Sequence, residues 1–550
     1  MSVSTLSEPT RTPLRLPPAA AALAALALTA CAAEPEGEGP DAQQTFAQHP
    51  VEEELELDLT TAGLAEISQA LAEGEAGSEQ LVEAYIERIE ALDQGGPALN
   101  SVRMLNPDAA EEAAALDEER EDGELRGPLH GVPILLKDNI DVAGLPTTAG
   151  STALAESVPE EDAALVTVLR EAGAVILGKT NLSEFAYFMT PDAPSGYSSL
   201  GGQVLNPYDA AQPPSGSSSG SAVAAAASLA PGTVGTETSG SILMPAEANS
   251  VVGLKPTGGL ISQEGMLPVS ETQDTAGPMT RTVEDAALLA AAMTDAEAEL
   301  APEEIAEAVD GASLEGVRLG YVPSQEEPGQ QEGQEDAAPE PPAVYAEALE
   351  VLEAQGAELV ELDPIELTEA EEILLAEFGR GLDEYLEGLP SDAPMGSLED
   401  IIAYNQDHPE SALKFGQELL EEAAGIDLED PEQLAAYEAD REQGLEESRA
   451  AVDDVLEEED LDAIVSDGAT IAVGARAAYP TVSVPSGYHE PGVQPAALMF
   501  MGTAWSDAEL LSYAYAYEQA AEVWQPPAET NPSLFRCTLD AVDGFAEDCG

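Results

Sequence analysis

Ser217, Ser218 and Ser241 sit in two glycine-rich turns of one continuous stretch, Ser215 to Gly259, which reads SGSSSGSAVAAAASLAPGTVGTETSGSILMPAEANSVVGLKPTGG. Glycine turns let backbone N–H groups face a ligand without interference from Cβ. Hydroxyls beside such donors suit acyl transfer or anion binding. A flexible Gly/Ser linker would not carry the embedded apolar elements seen here. A phosphate loop needs Lys-Ser or Lys-Thr after its last glycine, and no lysine lies between Lys179 and Lys255. Gly216-Ser-Ser-Ser-Gly220 fits the G-x-S-x-G elbow of a Ser-His-Asp hydrolase, with Ser218 as nucleophile and the later His489 as its base. That elbow must follow a buried strand, and the two prolines of Asp209–Pro214 remove the donors a strand needs. A penicillin-binding reading of Ser411-Ala-Leu-Lys414 lacks its companion S-D-N and K-T-G motifs. No HExxH and no cysteine pair near histidine suggests a metal site, and no cofactor motif is present.

The chain holds four lysines, Lys137, Lys179, Lys255 and Lys414. Where lysine is so scarce, each survivor is expected to have a specific task. Lys137 ends the apolar run Val132–Leu136, read as a buried strand, and ligands gather at the carboxyl ends of strands in open α/β sheets. A lysine serves as a base only when burial or neighbours depress its pKa. The apolar run before Lys137 and the lack of an adjacent lysine or arginine point to burial; Asp138 would oppose the shift if it faced the amine. Lys255 reads as structural.

The elements that must position these groups follow from periodicity. Helices are expected over Leu57–Leu71, capped by Thr60 or Thr61, over Ser78–Leu92, capped by Ser78, and over Asp108–Glu121. A further helix covers Asp162–Ala172, with Gly173 as C-cap, and Ala174–Leu177 is the next strand. Ser221–Leu229 is a helix halted at Pro231-Gly232, with Ser219 and Ser221 as cap residues. Later strands are expected at Leu99–Leu105, Gly316–Val322, Glu358–Leu362, Ala463–Val465, Thr481–Val484 and Ala497–Met501. Helices run from after Thr282-Val-Glu-Asp285 to about Met293, over Ala343–Gln355 and over Ala508–Val523. Ser324–Pro342 reads as a mobile surface loop and Leu367–Ala450 as a run of acidic helices. The alternation of strand and helix argues an α/β layered fold.

Of 550 residues, 107 are acidic and 18 basic, a net charge of −89, while 44% are hydrophobic. The apolar content supports a real core beneath a solvated acidic surface. Such a surface repels phosphates, so nucleic acid is not an expected partner. Like charge of this density strains the compact state at low ionic strength, and about 1 M salt screens it to a Debye length of roughly 3 Å. The balance resembles that of proteins from salt-loving organisms.

Several motifs in order carry a resemblance to the amidase signature family: Gly131-Val-Pro-Ile-Leu-Leu-Lys137-Asp-Asn, Leu145-Pro-Thr-Thr-Ala-Gly-Ser151, Gly178-Lys-Thr-Asn-Leu-Ser-Glu-Phe-Ala186, Asn206-Pro-Tyr, the central stretch, and Asp274-Thr-Ala-Gly-Pro-Met-Thr-Arg-Thr-Val-Glu-Asp285. The resemblance covers about Leu57 to Trp524 and is strongest to the branch of bacterial peptide amidases. It implies a mixed central sheet covered by helices on both faces, with the acidic helical region over the active-site cleft. It implies amide hydrolysis through Ser241 as nucleophile, Ser217 as a bridging serine on a cis peptide bond after Gly216, and Lys137 as base. Backbone N–H groups of Thr238, Ser239, Gly240 and Ser241 would form the oxyanion hole, with Ser218 supporting the loop or relaying a proton. The substrate implied is a small-molecule or peptide amide, with C-terminal peptide amides among the candidates. This sequence departs from the commoner pattern at Ser215, Ser219, Ser239 and Ile242-Leu243. A lipid-anchored binding protein with a dead amidase site is the non-enzyme alternative; the intact Lys137, Ser217 and Ser241 argue against it. The charge conflicts with another class in the family, the tRNA-linked amidotransferases.

Four segments are expected: a lipoprotein signal peptide over 1–30, an acidic disordered tether over 31–55, the amidase domain over 56–525, and a tail over 526–550. Arg11, Arg15 and the apolar run Leu16–Ala30 fit a signal peptide, and Leu28-Thr-Ala-Cys31 resembles a lipobox, with Cys31 lipidated. The protein is then expected outside the cytoplasm, held to the cell envelope by its lipid. Exported cysteines meet oxidising conditions, so Cys537 and Cys549 are expected to pair. The sequence sets no oligomeric state.

Overall fold

The computed structural model describes residues 55, 57–323, 342–365, 367, 371–489, 494–532 and 534–535. Cys31, Cys537, Cys549, the expected signal peptide and most of the loop expected over Ser324–Pro342 lie outside the described residues.

The strands are β1 (Val102–Leu105), β2 (Pro133–Lys137), β3 (Val175–Thr180), β4 (Tyr197–Ser198), β5 (Gly202–Gln203), β6 (Gly232–Glu237), β7 (Val252–Lys255), β8 (Thr275–Thr280), β9 (Arg318–Tyr321), β10 (Glu358–Glu361), β11 (Ala463–Ser466), β12 (Thr481–His489) and β13 (Gln494–Met501). β4 and β5 pair only with each other, and the other strands form one sheet in the order β1-β3-β2-β6-β8-β7-β12-β13-β11-β9-β10. The sheet is mixed: β2 runs parallel to both β3 and β6, whereas β6 runs antiparallel to β8. Every residue of β2, β3, β6, β7 and β8 is buried, as expected where helices cover both faces. This is the α/β fold with a mixed central sheet expected from the sequence.

Two helix caps correct the sequence reading; the second helix begins at Ser78 as expected, but its N-cap is Gly77 and not Ser78. The first helix begins at Leu64, not Leu57, and its N-cap is Gly63. Thr60 does not cap it; Thr60 bonds back to Asp58, and the carboxylate of Asp285 accepts the Ala65 N–H at 2.9 Å. The second helix starts at Ser78, whose own N–H and that of Glu79 donate to Asp117 at 2.8 and 3.0 Å. In both, a carboxylate distant in sequence takes orphan N–H groups that a local cap would otherwise satisfy. A π-helical turn, Ile89–Gln94, continues the second helix. Past residue 525 the chain still packs, and Phe535 is buried in the main core.

The acidic segment folds as helices Glu371–Gly388, Leu398–Asp407, Pro409–Ala412, Glu418–Ala424 and Pro431–Glu458. Its own core joins the loops that follow β2 and β3: Phe378 stacks on Phe188 at 5.0 Å and meets Phe185 edge-on at 6.2 Å. Among the described residues no helix is long and apolar enough to cross a membrane.

Candidate active site

Lys137 is the last residue of β2 and is completely buried. Its Nζ lies 2.8 Å from Ser217 Oγ, 2.9 Å from Thr236 Oγ1 and 3.1 Å from the Thr236 carbonyl oxygen. Thr236 comes from β6, the parallel neighbour of β2, so strand pairing alone aims both side chains at the same end of the sheet. Asn139 holds Thr236 Oγ1 at 3.1 Å and the Leu267 carbonyl at 3.2 Å. Burial pushes the Lys137 pKa down to about 7, against the carboxylates of Asp274 and Glu237, which pull it up. Asp138 does not face it: that carboxylate turns to Arg103 at 2.7 Å and to Lys179 at 3.4 Å. A neutral amine has two N–H donors and one lone pair. With both donors on the two oxygens of Thr236, the lone pair is left for the Ser217 hydroxyl.

Ser217 is buried and follows a cis peptide bond from Gly216. Ser215 adopts a left-handed φ of 58°. Gly220 must be glycine, because a Cβ there would sit 2.3 Å from the Asn181 carbonyl oxygen and 2.4 Å from that of Ser101. This close approach seats the helix Ser219–Ala226 directly on the backbone beside β3. Ser219 and Ser221 are not its caps. The Ser219 hydroxyl donates to the Ser215 carbonyl at 2.5 Å and that of Ser221 to Val234 at 3.0 Å, tying the helix to its loop and to β6.

The second serine turn follows β6. The Ser218 N–H donates to the Ser241 carbonyl at 3.1 Å and brings the two turns together. The Ser218 hydroxyl is taken up by the Thr236 backbone, donating to its carbonyl at 3.0 Å and accepting its N–H at 3.2 Å. Ser241 is 6% exposed, and Ser239 and Met244 on either side of it in the chain are exposed. Among the described residues, its hydroxyl and the N–H groups of Ser239, Gly240 and Ser241 make no hydrogen bond within the protein. Gly240 has a φ of 85°, which lets successive N–H groups converge. Glu237 accepts the N–H groups of Ile242 and Leu243 at 2.7 and 3.0 Å, fixing the helix after Ser241. Thr238 is held by Asp274 at 2.5 Å through its hydroxyl and by Gln273 at 3.1 Å through its carbonyl.

Lys137, Ser217, Ser218 and Ser241, with Thr238–Gly240, therefore share one site. His489 does not join it: it ends β12, paired with Gln494. Thr236, Asn139, Gln273 and Asp274 were not anticipated. Thr236 was readable as the strand residue beside Lys137 once β2 and β6 are known to be parallel neighbours; Asn139 and Asp274 lie in the motif segments, which assign them no role, and no local pattern marks Gln273. Lys255 donates to the Tyr479 carbonyl at 2.7 Å, the structural task expected of it.

Two clefts flank the serine turns. One is lined by Ser183, Glu184, Tyr187, Tyr197 and Phe415; Ser183 and Tyr187 also crowd Gly216. The other is lined by Ser215, Met244, Glu247 and Gln494 among others.

Residues 80–473 match the protein family described as Amidase. A probable amidase of Arabidopsis thaliana is 39% identical over 495 residues, covering 85% of this chain and 92% of its own length. The solved structure of native peptide amidase from Stenotrophomonas maltophilia superimposes with a TM-score of 0.78 at 41% identity, covering 85% of this chain and 98% of that one. A putative amidase of Schizosaccharomyces pombe is 32% identical over 519 residues, covering 86% of this chain and 87% of its own length.

Proposed function

The chain belongs to the amidase family and is a hydrolase of C–N bonds, and from that premise we propose that it cleaves C-terminal peptide amides through an acyl-enzyme on Ser241. As Ser241 Oγ attacks the carbonyl carbon, its proton passes to Ser217 and the Ser217 proton passes to neutral Lys137. The oxyanion is met by the N–H groups of Ser239, Gly240 and Ser241, with Thr238 supporting the turn. The C–N bond then breaks as the proton returns through Ser217 to the leaving nitrogen. Water hydrolyses the ester by the reverse relay and releases the carboxylate. The observation that carries this reading is the buried Lys137 amine, with three oxygen neighbours at 2.8–3.1 Å and its pKa lowered to about 7. The choice of peptide amides rests on the similarity to the Stenotrophomonas enzyme and on the clefts flanking the serine turns. A panel of peptide, aryl and fatty amides tests it: peptide amides should have the highest kcat/KM, and a preference for fatty amides would overturn the substrate assignment.

A second reading, a hydrolase with Ser218 as nucleophile and His489 as base, is disfavoured by the engagement of Ser218 with Thr236. The net charge of −89 supports a substrate other than nucleic acid.

The apolar run before Cys31 supports export and lipidation at that cysteine, and so attachment to the cell envelope. Mass spectrometry of the mature N-terminus should find a diacylglycerol adduct; an unprocessed Met1 would overturn this. Cys537 and Cys549 form a disulfide in the exported protein, worth roughly 2–4 kcal/mol at most. Two free thiols on denaturing titration of the native protein would refute the pairing.

A further inference from the structure

Glu377 is a buried carboxylate in a region whose other acidic groups are mostly solvated; it is 2% exposed. It lies on the helix Glu371–Gly388 of the acidic region and reaches into the turn that precedes β8. Its carboxylate accepts from the hydroxyls of Ser270 and Thr272, from the Thr272 N–H at 3.3 Å, and from Tyr437 of the helix Pro431–Glu458 at 2.9 Å. Glu271, between those two residues, takes Arg380 at 2.7 Å and Arg441 at 2.6 Å. Two of only 18 basic residues in the chain converge on this one turn.

The same turn holds Thr238, at the start of the segment that carries the oxyanion N–H groups. Ser270 accepts the Gln273 N–H at 3.1 Å, and Gln273 donates to the Thr238 carbonyl at 3.1 Å. Asp274 accepts the N–H groups of Val269 and Ser270 at 2.7 and 2.9 Å and, on its other oxygen, the Thr238 hydroxyl at 2.5 Å. An unbroken run of buried hydrogen bonds therefore leads from the helical region to Thr238, three residues before Ser241. A carboxylate with several donors has a defined position, since each oxygen is fixed from more than one direction.

We propose that Glu377 is a positioning residue for the reaction: through the turn 270–274 it sets where the N–H groups after Thr238 point, so the helical region governs stabilisation of the tetrahedral intermediate as well as covering the cleft. The proposal rests on the assignment of Ser239–Ser241 as oxyanion donors. Those donors must match the oxyanion more closely than the ground-state carbonyl, so loosening the turn weakens transition-state binding and spares substrate binding.

The test uses the full-length enzyme and Glu377→Gln, which removes the charge and turns one of two acceptor oxygens, each holding two donors, into an NH2. Four quantities are read: kcat and KM for a peptide amide, the Ki of a peptide aldehyde that forms a tetrahedral adduct on Ser241, and the Ki of the matching peptide alcohol, which forms none. kcat and aldehyde affinity should fall together by about 10- to 100-fold, the cost of a misplacement of up to an ångström. KM and alcohol affinity should stay within about twofold. Tyr437→Phe, which removes one donor, should show the same split at smaller size. If kcat and aldehyde affinity hold while thermal stability drops, the contact is only structural and the proposal is overturned. It is equally overturned if all four quantities worsen in parallel, which marks collapse of the cleft. If Glu377→Gln does not fold, Thr272→Val carries the same prediction with the same overturning outcomes. An aldehyde that forms no Ser241 adduct in the unsubstituted enzyme overturns instead the acyl-enzyme assignment.

Discussion

Three of the four lysines lie in the sheet and are completely buried, whereas Lys414 lies in the helical region with its ammonium 4.6 Å from the ring of Tyr197 and 5.0 Å from that of Phe415. The contrast extends to the carboxylates. In the sheet region Asp138, Asp274 and Glu237 are buried and each has defined partners. Along the helix Pro431–Glu458 only Tyr437, Gly444, Ser448 and Val452 are buried, and its acidic residues face outwards. The same residue types therefore do different physical work. In the sheet, low dielectric makes each charge decisive for chemistry. On the helices, charges are screened by solvent and salt and matter mainly as a sum.

The largest effect that would sharpen this contrast is loss of the relay. Ser241→Ala should lower kcat by at least about 10⁴-fold, and Lys137→Ala should be nearly as damaging at neutral pH. Ser217→Ala should cost about 10³-fold, because a water must take its place. Double substitutions should be little worse than the worst single one. His489→Ala should leave kcat intact; an inactive His489→Ala beside an active Lys137→Ala breaks the assignment.

A smaller effect concerns pH. Lys137 serves as base only when neutral, so kcat/KM should rise with pH through about 7. Asp274 is a negative neighbour that holds the Lys137 pKa up. Asp274→Asn should therefore move the acid limb to lower pH, whatever it does to the plateau. A limb that stays in place or moves to higher pH would show that the two groups are not coupled.

Burial of Lys137 also leaves a stability signature. Its folded pKa, about 7, is below the ordinary lysine value. The unfolded chain therefore binds the extra proton from there up to about pH 10.4, and stability rises with pH across that window. Relative to the parent, Lys137→Met should gain most in melting temperature below pH 7, and the gain should shrink towards about pH 10. A pH-independent difference would refute the buried, depressed amine.

The smallest local effect is expected from salt. Melting temperature should climb from about 0.05 to 1 M salt and then flatten as screening saturates. Hydrogen exchange resolved by region should show the helices 398–458 gaining more protection than β2 and β6. A uniform gain, or none, would break the division between the two regions.

The site was legible to an uneven degree. Lys137, Ser217 and Ser241 lie in motif segments whose glycines and apolar runs are local, and β1–β3 and β9–β13 were read from their apolar runs; β6, β7 and β8, at the centre of the sheet, were not, because glycine, threonine and proline interrupt their apolar pattern. Helix starts were read less well: the N–H groups at Leu64–Ala65 and Ser78–Glu79 are capped by Asp285 and Asp117, which no nearby residue announces.

By itself, then, the sequence determined the reacting residue types, the strand-end place of Lys137, the layered α/β architecture and the sign of the surface charge. Each is carried by composition, periodicity or contiguous motif. Only the tertiary structure decided that Asp138 turns to Arg103 and Lys179 and not to Lys137, that Thr236 takes the two donors of the amine, and that Glu377 reaches Thr238 through the turn 270–274. These contacts join residues up to 107 positions apart. Their distances depend on how strands pair and helices dock, and sequence separation carries no information about which of many carboxylates will lie within hydrogen-bond reach in the folded core.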